Sequence, residues 1–332
     1  MKRTITTLLA GTAMLLGTQG AQADITVGYF LEWPMPFLAA KAEGLYDEAL
    51  GETVNGVSFE TGTAMSAAMA SGDVQISVSQ GVPPFVVAAS AGQAIQVVDV
   101  AVSYSENDNC VVATELEIDK TTAADLEGKT VAVPIGTAAH YGFLRQMDHF
   151  GVPLDSLEIV DMAPVDGAAA LAQGAVDFAC GYGGGLTRMK EHGNVLLTGA
   201  EKEELGILVF DVTSAPTDFI AENEELVSSF LKVTAEANAK WVSGAGGEAM
   251  LAAIAQESGM DPEATAAAIE TFTFPTVEQQ LSEKWLGGNA QSFMKGVADV
   301  FVEAGSIDSA LDSYEGSVNT APLAAIADDV QG

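Results

Sequence analysis

"VAVPIGTAAHYGFL", residues 131–144, is an apolar strand pattern that meets a proline, a glycine and several small residues before a helical pattern begins. Small residues at such a turn allow the backbone to approach another molecule closely. The first turn of a helix also carries N–H groups that have no acceptor within the helix. The stretch therefore predicts a strand, a tight turn and a helix whose beginning can hold a small anion.

The same succession of a short apolar strand and a helix recurs on both sides of this stretch. Such alternation predicts an α/β fold with parallel sheets and right-handed crossovers. One continuous helix is predicted over residues 37–50 and another over residues 276–288. Strands are predicted at residues 25–30, 54–60, 74–79, 95–102, 109–114, 129–134, 157–162, 176–182 and 194–199.

The strand and helix patterns form two series, which predicts two lobes. Residues 24–105 with 210–332 are expected to form lobe 1, and residues 106–209 lobe 2. Extended stretches near residues 103–110 and 206–215 would join the lobes, and helices follow to the end of the chain. Ligand sites in such sheets lie beyond the carboxyl ends of the strands. The cleft between the lobes is therefore the predicted site.

The first 23 residues have the pattern of a cleaved signal peptide. Lys2 and Arg3 precede an apolar run at residues 8–16, and Ala21-Gln22-Ala23 follows. A basic start, a short apolar stretch and an A-x-A sequence are typical of secretion. The mature chain is therefore expected to begin near Asp24 and to be periplasmic.

The net charge excludes several classes of partner. The chain has 13 basic and 46 acidic residues, a formal charge of −33. Without Lys2 and Arg3 it keeps 11 basic residues against the same 46 acidic ones, which gives −35. Nucleic acids and anionic membrane surfaces attract basic proteins. Neither is an expected partner of this chain.

Two cysteines, Cys110 and Cys180, follow the signal peptide. An even number of cysteines in an oxidising compartment favours a disulfide. Two buried thiols are the alternative, and an enzyme in which His140 activates the Cys180 thiol is a third reading. No G-x-S-x-G, H-E-x-x-H, P-loop or C-x-x-C motif occurs, and the three histidines lack a metal-ligand spacing. No enzyme activity, metal or cofactor is therefore predicted.

The candidate anion ligands lie where predicted strands give way to helices. Only Arg145 and Arg188 remain after the signal peptide, and both fall in helical patterns. Backbone amides and hydroxyl groups are therefore a better prediction for the anion site than an arginine clamp. The candidates are Gln80, Gly81, Gly136, Thr137, Ala138 and His140.

The candidate cation ligands are carboxylates and aromatic rings in other strand-end loops. Glu32 and Trp33 follow the first strand, Tyr182 lies in a glycine-rich stretch, and Asp211 is a lone carboxylate in an apolar extended run. A carboxylate in such a run needs a specific partner, which could be a lysine, a backbone amide or a ligand ammonium. With an ammonium, these residues would supply ion pairing and cation–π contact.

Several stretches resemble a known family. They are "ASGDVQIS" (70–77), "GKTVAVP" (128–134), "AHYGFL" (139–144), "LEIVDMAP" (157–164), "GAVDFACGY" (174–182) and "FPTVEQQL" (274–281). The chain resembles the periplasmic solute-binding proteins of ABC transporters, in the branch that binds taurine, nitrate and aliphatic sulfonates. The resemblance covers nearly all of the mature chain and is close to the taurine-binding members.

The resemblance implies a two-lobed periplasmic-binding-protein fold of type II, with a hinge of two crossing strands and C-terminal helices. It implies a monomer that binds taurine and delivers it to a membrane permease and its ATPase. The sulfonate is expected near Gln80, Gly81, Thr137, Ala138 and His140, and the ammonium at Asp211. Another small sulfonate, nitrate or a quaternary amine remains an alternative ligand, and a chaperone-like protein without saturable binding is the other non-enzyme reading.

Overall fold

The computed structural model describes residues 25–330, so the predicted signal peptide lies outside the described residues. Its strands are β1 Ile25–Phe30, β2 Val54–Phe59, β3 Ile76–Gly81, β4 Ile95–Ser103, β5 Asp108–Ala113, β6 Thr130–Val133, β7 Glu158–Asp161, β8 Phe178–Tyr182, β9 Gly193–Val195 and β10 Phe210–Pro216. These positions agree with the strand predictions to within a few residues.

The helices cover the faces of the sheets. They are α1 Pro36–Ala42, α2 Leu45–Leu50, α3 Gly62–Ser71, α4 Val82–Ser90, α5 Ala138–Phe150, α6 Pro164–Ala172, α7 Gly183–Lys190, α8 Gly199–Glu204, α9 Thr217–Glu222, α10 Glu224–Val242, α11 Gly247–Ser258, α12 Pro262–Ile269, α13 Val277–Leu281, α14 Asn289–Glu303 and α15 Ala321–Ala324. No helix within residues 25–330 is both long and apolar enough to cross a membrane.

The strands form two five-stranded mixed sheets. The order is β2-β1-β3-β10-β4 in the first sheet and β7-β6-β8-β5-β9 in the second. β10 is antiparallel to β3 and β4, and β5 is antiparallel to β8 and β9. The predicted parallel arrangement holds for β1, β2 and β3 and for β6, β7 and β8, but not for β5 and β10. The segment that enters β5 from the first sheet contains no helix, and the one that enters β10 from the second contains only the short α8, so neither is the crossover that returns a chain parallel to the same sheet.

Two connections join the sheets. The chain leaves the first sheet after Ser103 and enters the second at Asp108, then returns between Val195 and Phe210. The connections are bonded to each other, because the Tyr104 N–H donates to the Val209 carbonyl oxygen at 3.1 Å. The two crossing segments therefore lie side by side, as the resemblance implied.

The stretch at 131–144 folds as predicted. β6 ends at Val133 and α5 begins at Ala138, with Gly136 between them at a φ of +79°. Glycine adopts this left-handed conformation at little cost. Thr137 caps α5, because its hydroxyl accepts the His140 N–H at 3.4 Å. The turn thus directs the beginning of the helix away from the sheet.

Two predicted helices are shorter than the sequence pattern. The helix predicted over residues 37–50 is divided into α1 and α2 at Gly44, whose φ is +71°. The helix predicted over residues 276–288 is reduced to α13, since Ser282 has extended backbone angles. In both segments the apolar spacing is helical, but the chain turns to follow the underlying core.

Cys110 and Cys180 form a disulfide across neighbouring strands of the second sheet. They lie directly opposite each other in the antiparallel pair of β5 and β8. The bond closes a loop of 70 residues. It leaves no thiol on Cys180, so the reading in which His140 activates a cysteine nucleophile is wrong.

Replacing both cysteines with serine is expected to lower the free energy of unfolding by about 2–4 kcal/mol, because the unfolded chain then regains the entropy of an open loop. Urea denaturation of the mature protein and the variant measures this difference. Mass analysis under non-reducing conditions is the accompanying control. Two free thiols in the native protein, or equal unfolding midpoints, would contradict the assignment.

Candidate functional site

A small cavity lies between the two sheets, at the ends of strands from both. The cavity, counted together with the part that is open to solvent, has a volume of about 300 Å³. From the predicted site it includes Trp33, Gly81, Thr137, Ala138, Tyr182 and Asp211, and the other lining residues are Phe30, Gly62, Pro84 and Tyr104. Predicted residues from both lobes therefore meet at one place.

Asp211 is the charged residue of this cavity. It is 3% exposed, and each carboxylate oxygen accepts one hydroxyl hydrogen bond. Ser79 Oγ donates to Oδ2 at 2.7 Å, and Tyr104 OH donates to Oδ1 at 2.7 Å. A carboxylate has about four acceptor positions, so part of its capacity is free for another donor.

Within residues 25–330, no cationic side chain pairs with this carboxylate. Burial raises the pKa of Asp211 to about 7, the hydrogen bonds from Ser79 and Tyr104 lower it, and the neighbouring Asp108 carboxylate raises it. A buried carboxylate without a counter-ion is costly. Its position is therefore well suited to a cationic group that enters the cavity.

Aromatic rings form the wall beside Asp211. Trp33 is 4% exposed, and its ring centroid lies 4.7 Å from those of both Tyr104 and Phe272. Its indole Nε1 donates to Ser79 Oγ at 2.9 Å. Ser79 therefore relays a hydrogen bond from Trp33 to Asp211. The relay holds both the ring and the carboxylate in fixed orientations.

The beginning of α5 forms the opposite wall. Thr137 and Ala138 line the cavity, and Thr137 is 1% exposed. The Thr137 hydroxyl donates to the Pro134 carbonyl oxygen at 2.6 Å, which fixes the side chain. The first-turn N–H groups of a helix have no intrahelical acceptor and favour negative charge. This wall can therefore hold an anion through backbone amides.

Gly81 lies between the two walls. A Cβ atom placed on it would be 3.5 Å from Ala138 Cβ and 3.6 Å from Asp211 Oδ1. The carboxylate and the helix beginning are thus both within 3.6 Å of one point. A ligand that bridges them must be compact, with opposite charges only a few bonds apart.

Three other residues predicted for the site, Gln80, Gly136 and His140, lie behind the cavity. Gln80 is fully buried and donates through Nε2 to the Gly62 carbonyl oxygen at 2.7 Å. His140 is 3% exposed, and its Nδ1 accepts the Gly136 N–H at 3.1 Å. Burial lowers the pKa of His140 to about 4, so the imidazole is neutral at neutral pH. These residues do not line the cavity, and they hold the turns that do.

Glu32 lies in a second, larger space next to the cavity. This outer chamber holds about 1200 Å³ of empty space, and Trp33 and Tyr182 border both spaces. Arg188 donates to the two carboxylate oxygens of Glu32 at 2.8 and 2.9 Å. The Glu32 charge is therefore already paired, unlike that of Asp211.

Sequence analysis missed Ser79 and Tyr104, which hold Asp211. Ser79 directly precedes the predicted Gln80, and neighbouring strand residues point to opposite faces. The alternating pattern of "ISVSQG" could have indicated that Ser79 and Gln80 do not share a side. Tyr104 stands in the predicted crossing segment, where an aromatic residue with a hydroxyl group is a usable signal.

Replacing Asp211 with asparagine is expected to stabilise the ligand-free protein at pH 8 by on the order of 2 kcal/mol, because a neutral group avoids the cost of a buried charge. That cost develops as the pH rises from about 4, where the unfolded carboxyl ionises, to about 7. The gain should therefore almost disappear at pH 4. Thermal denaturation at both pH values tests this.

The matched control is Asp308→Asn, which removes an exposed carboxylate. It should change stability little at either pH. A variant of Asp211 that is destabilised at pH 8 would indicate that the native carboxylate is satisfied without a ligand.

Known proteins resemble this chain in sequence. Residues 34–242 match a family described as NMT1/THI5 like. The taurine-binding periplasmic protein of Escherichia coli (strain K12) is 27% identical over 312 residues, which cover 93% of this chain and 95% of the relative.

Solved structures share the fold. The periplasmic aliphatic sulphonate binding protein SsuA from Escherichia coli has a TM-score of 0.69 at 22% identity and covers 87% of this chain and 95% of its own. The desulfurization enzyme DSZB has a TM-score of 0.65 at 12% identity, with 93% and 99% covered. Since the family match spans more than half of the 332 residues, the chain belongs to the NMT1/THI5-like family.

Proposed function

We propose that this protein is the solute-binding component of an ABC importer and that its ligand is taurine. The observation that carries the proposal is the placement of a buried, unpaired carboxylate opposite a helix beginning. Asp211 and Ala138 approach the same point next to Gly81. A molecule with an ammonium and a sulfonate separated by two carbons matches both walls.

In the proposed complex the ammonium binds the Asp211 carboxylate and lies against the Trp33 ring. A cation gains from both a buried ion pair and an aromatic face. The sulfonate accepts a hydrogen bond from the Ala138 backbone amide, since the Thr137 N–H already donates to the Pro134 carbonyl oxygen at 3.3 Å. No arginine lines the cavity, so the anion is held by neutral donors.

Each alternative ligand would interact favourably with only one of the two walls. Nitrate or a simple alkanesulfonate would leave the Asp211 charge unpaired and would be repelled by it. A quaternary amine would neutralise Asp211 but would leave the α5 amides without an anion. A cysteine-dependent enzyme is not proposed, because Cys180 is oxidised in the disulfide with Cys110.

The named relatives support a periplasmic location and a transport role. The proposal includes removal of residues 1–23, a monomeric mature protein, and delivery of the solute to a membrane permease and its ATPase. It also divides the chain into lobe 1, residues 24–105 with 210–332, and lobe 2, residues 106–209. Closure of these lobes about the crossing segments would enclose the ligand.

Taurine is expected to stabilise the purified protein more than ethanesulfonate, nitrate or a quaternary amine. A ligand present at 100 times its dissociation constant adds about 2.7 kcal/mol to the free energy of unfolding. Thermal-shift assays followed by isothermal titration calorimetry measure this order. Heat with nitrate or ethanesulfonate but none with taurine would refute the substrate assignment.

The affinity for taurine is expected to fall below pH 7, by up to about tenfold per pH unit, since protonation of Asp211 removes the partner of the ammonium. Asp211→Asn should weaken binding roughly 30-fold or more, because loss of one partner of a buried charge pair costs about 2–5 kcal/mol. Calorimetry between pH 5 and 8.5 compares the two proteins. A flat profile for wild type, or normal binding by the variant, would mean that the ammonium lies elsewhere.

A further inference from the structure

One ion pair connects the two sheets beside the cavity. Glu32 lies in the loop that follows β1 of the first sheet, and Arg188 lies in α7, after β8 of the second. The guanidinium donates to both carboxylate oxygens, at 2.8 and 2.9 Å. Such two-pronged geometry is the strongest form of this contact.

The helix that carries Arg188 begins with glycines that make room for Glu32. A Cβ atom on Gly184 would lie 2.3 Å from Glu32 Oε2, and one on Gly183 would lie 2.9 Å from the Glu32 carbonyl oxygen. Real Cβ atoms do not approach other atoms so closely. The second sheet therefore presents a surface shaped to receive this residue of the first.

We call each sheet, with the helices packed on it, one half of the molecule. The loop that holds Glu32 is fixed within the first half. Its N–H donates to the Ser258 carbonyl oxygen, at the end of α11, at 2.8 Å. Glu32 also has a φ of +54°, which is rare for a residue with a side chain. Such strain is retained where the surroundings require one orientation. Here the orientation points the carboxylate across the cleft.

A second contact also joins the two halves of the molecule. Tyr182 OH, from the end of β8, donates to the Glu60 carbonyl oxygen of the first half at 3.0 Å. Tyr182 also borders the cavity, as does Trp33, the residue after Glu32. The two bridging contacts therefore lie beside the cavity, and one of them involves a residue that lines it.

We propose that the Glu32–Arg188 pair is a positioning contact that holds the cleft closed and thereby slows ligand release. The inference rests on the proposed binding function, and it adds residues that do not touch the ligand. Both partners belong to rigid elements of opposite halves, so separating the halves must break the pair. An open protein lacks the contact, and ligand entry therefore does not depend on it.

The pair should act on the dissociation rate and be sensitive to salt. The Arg188 and Glu32 side chains are 41% and 33% exposed, so ions can screen them. Removing either charge is expected to raise the dissociation rate three- to tenfold, with the association rate nearly unchanged. Raising the ionic strength should reduce this difference between wild type and variant.

The experiment compares Glu32→Gln, Arg188→Gln and the double variant by stopped-flow tryptophan fluorescence with taurine. Because one contact is involved, the double variant should release ligand no faster than either single variant. Lys120→Gln is the matched control, since it removes an exposed ion pair with Glu201 inside the second half. It should leave both rates unchanged.

Unchanged dissociation rates, additive effects in the double variant, or an equal effect of Lys120→Gln would overturn the proposal. So would a ligand-free melting temperature that falls in step with the affinity, because the pair would then only stabilise the fold. If taurine gives no signal with wild type, the proposed ligand is wrong. The same comparison is then made with the sulfonate, nitrate or amine that does bind, so the two failures are distinguishable.

Discussion

The burial of a carboxylate without a protein cation is the constraint on which the site depends. Asp211 is placed in an apolar strand and receives only two hydroxyl hydrogen bonds, from Ser79 and Tyr104. These bonds orient the group but do not neutralise it. The fold tolerates this cost because the carboxylate faces a cavity, and Trp33 is fixed by the same bonds. Under the proposed function, an arriving cation would relieve a penalty that is already present in the folded protein.

Local patterns were enough to predict the strands and the α5 turn, and they named six of the ten residues that line the cavity. Asp211 is conspicuous as the single charge in an apolar run, and Thr137 and Ala138 follow a strand at a glycine turn. Both signals are contained in a few neighbouring residues. The direction of β5 and β10 cannot be read from a few neighbouring residues. Both strands are buried on both faces, and such an apolar stretch looks the same whether its neighbours are parallel or antiparallel.

Contacts between distant segments were beyond such reasoning. Glu32 was expected to face a ligand, yet its partner Arg188 is 156 residues away and was assigned only to a helix. No spacing rule links the two positions, and the glycines that admit Glu32 read as a flexible turn. Ser79 was overlooked for the same reason, because its hydrogen bonds to Trp33 and Asp211 join residues that are 46 and 132 positions apart in the sequence. Function in this fold is set by such particular contacts, as the shared fold of binding proteins and an enzyme illustrates.

The glycine at position 81 has a consequence for how the protein could evolve. A methyl group there would meet its neighbours at ordinary van der Waals distances, so alanine could be accommodated without displacing either wall. It would occupy the space of about one methylene of the solute, which is worth roughly 1–3 kcal/mol in discrimination. The size of the residue at position 81 therefore limits the length of the ligand that fits. In the proposed complex, a single substitution at this position would change the length of solute that fits while Asp211 and the beginning of α5 stay in place.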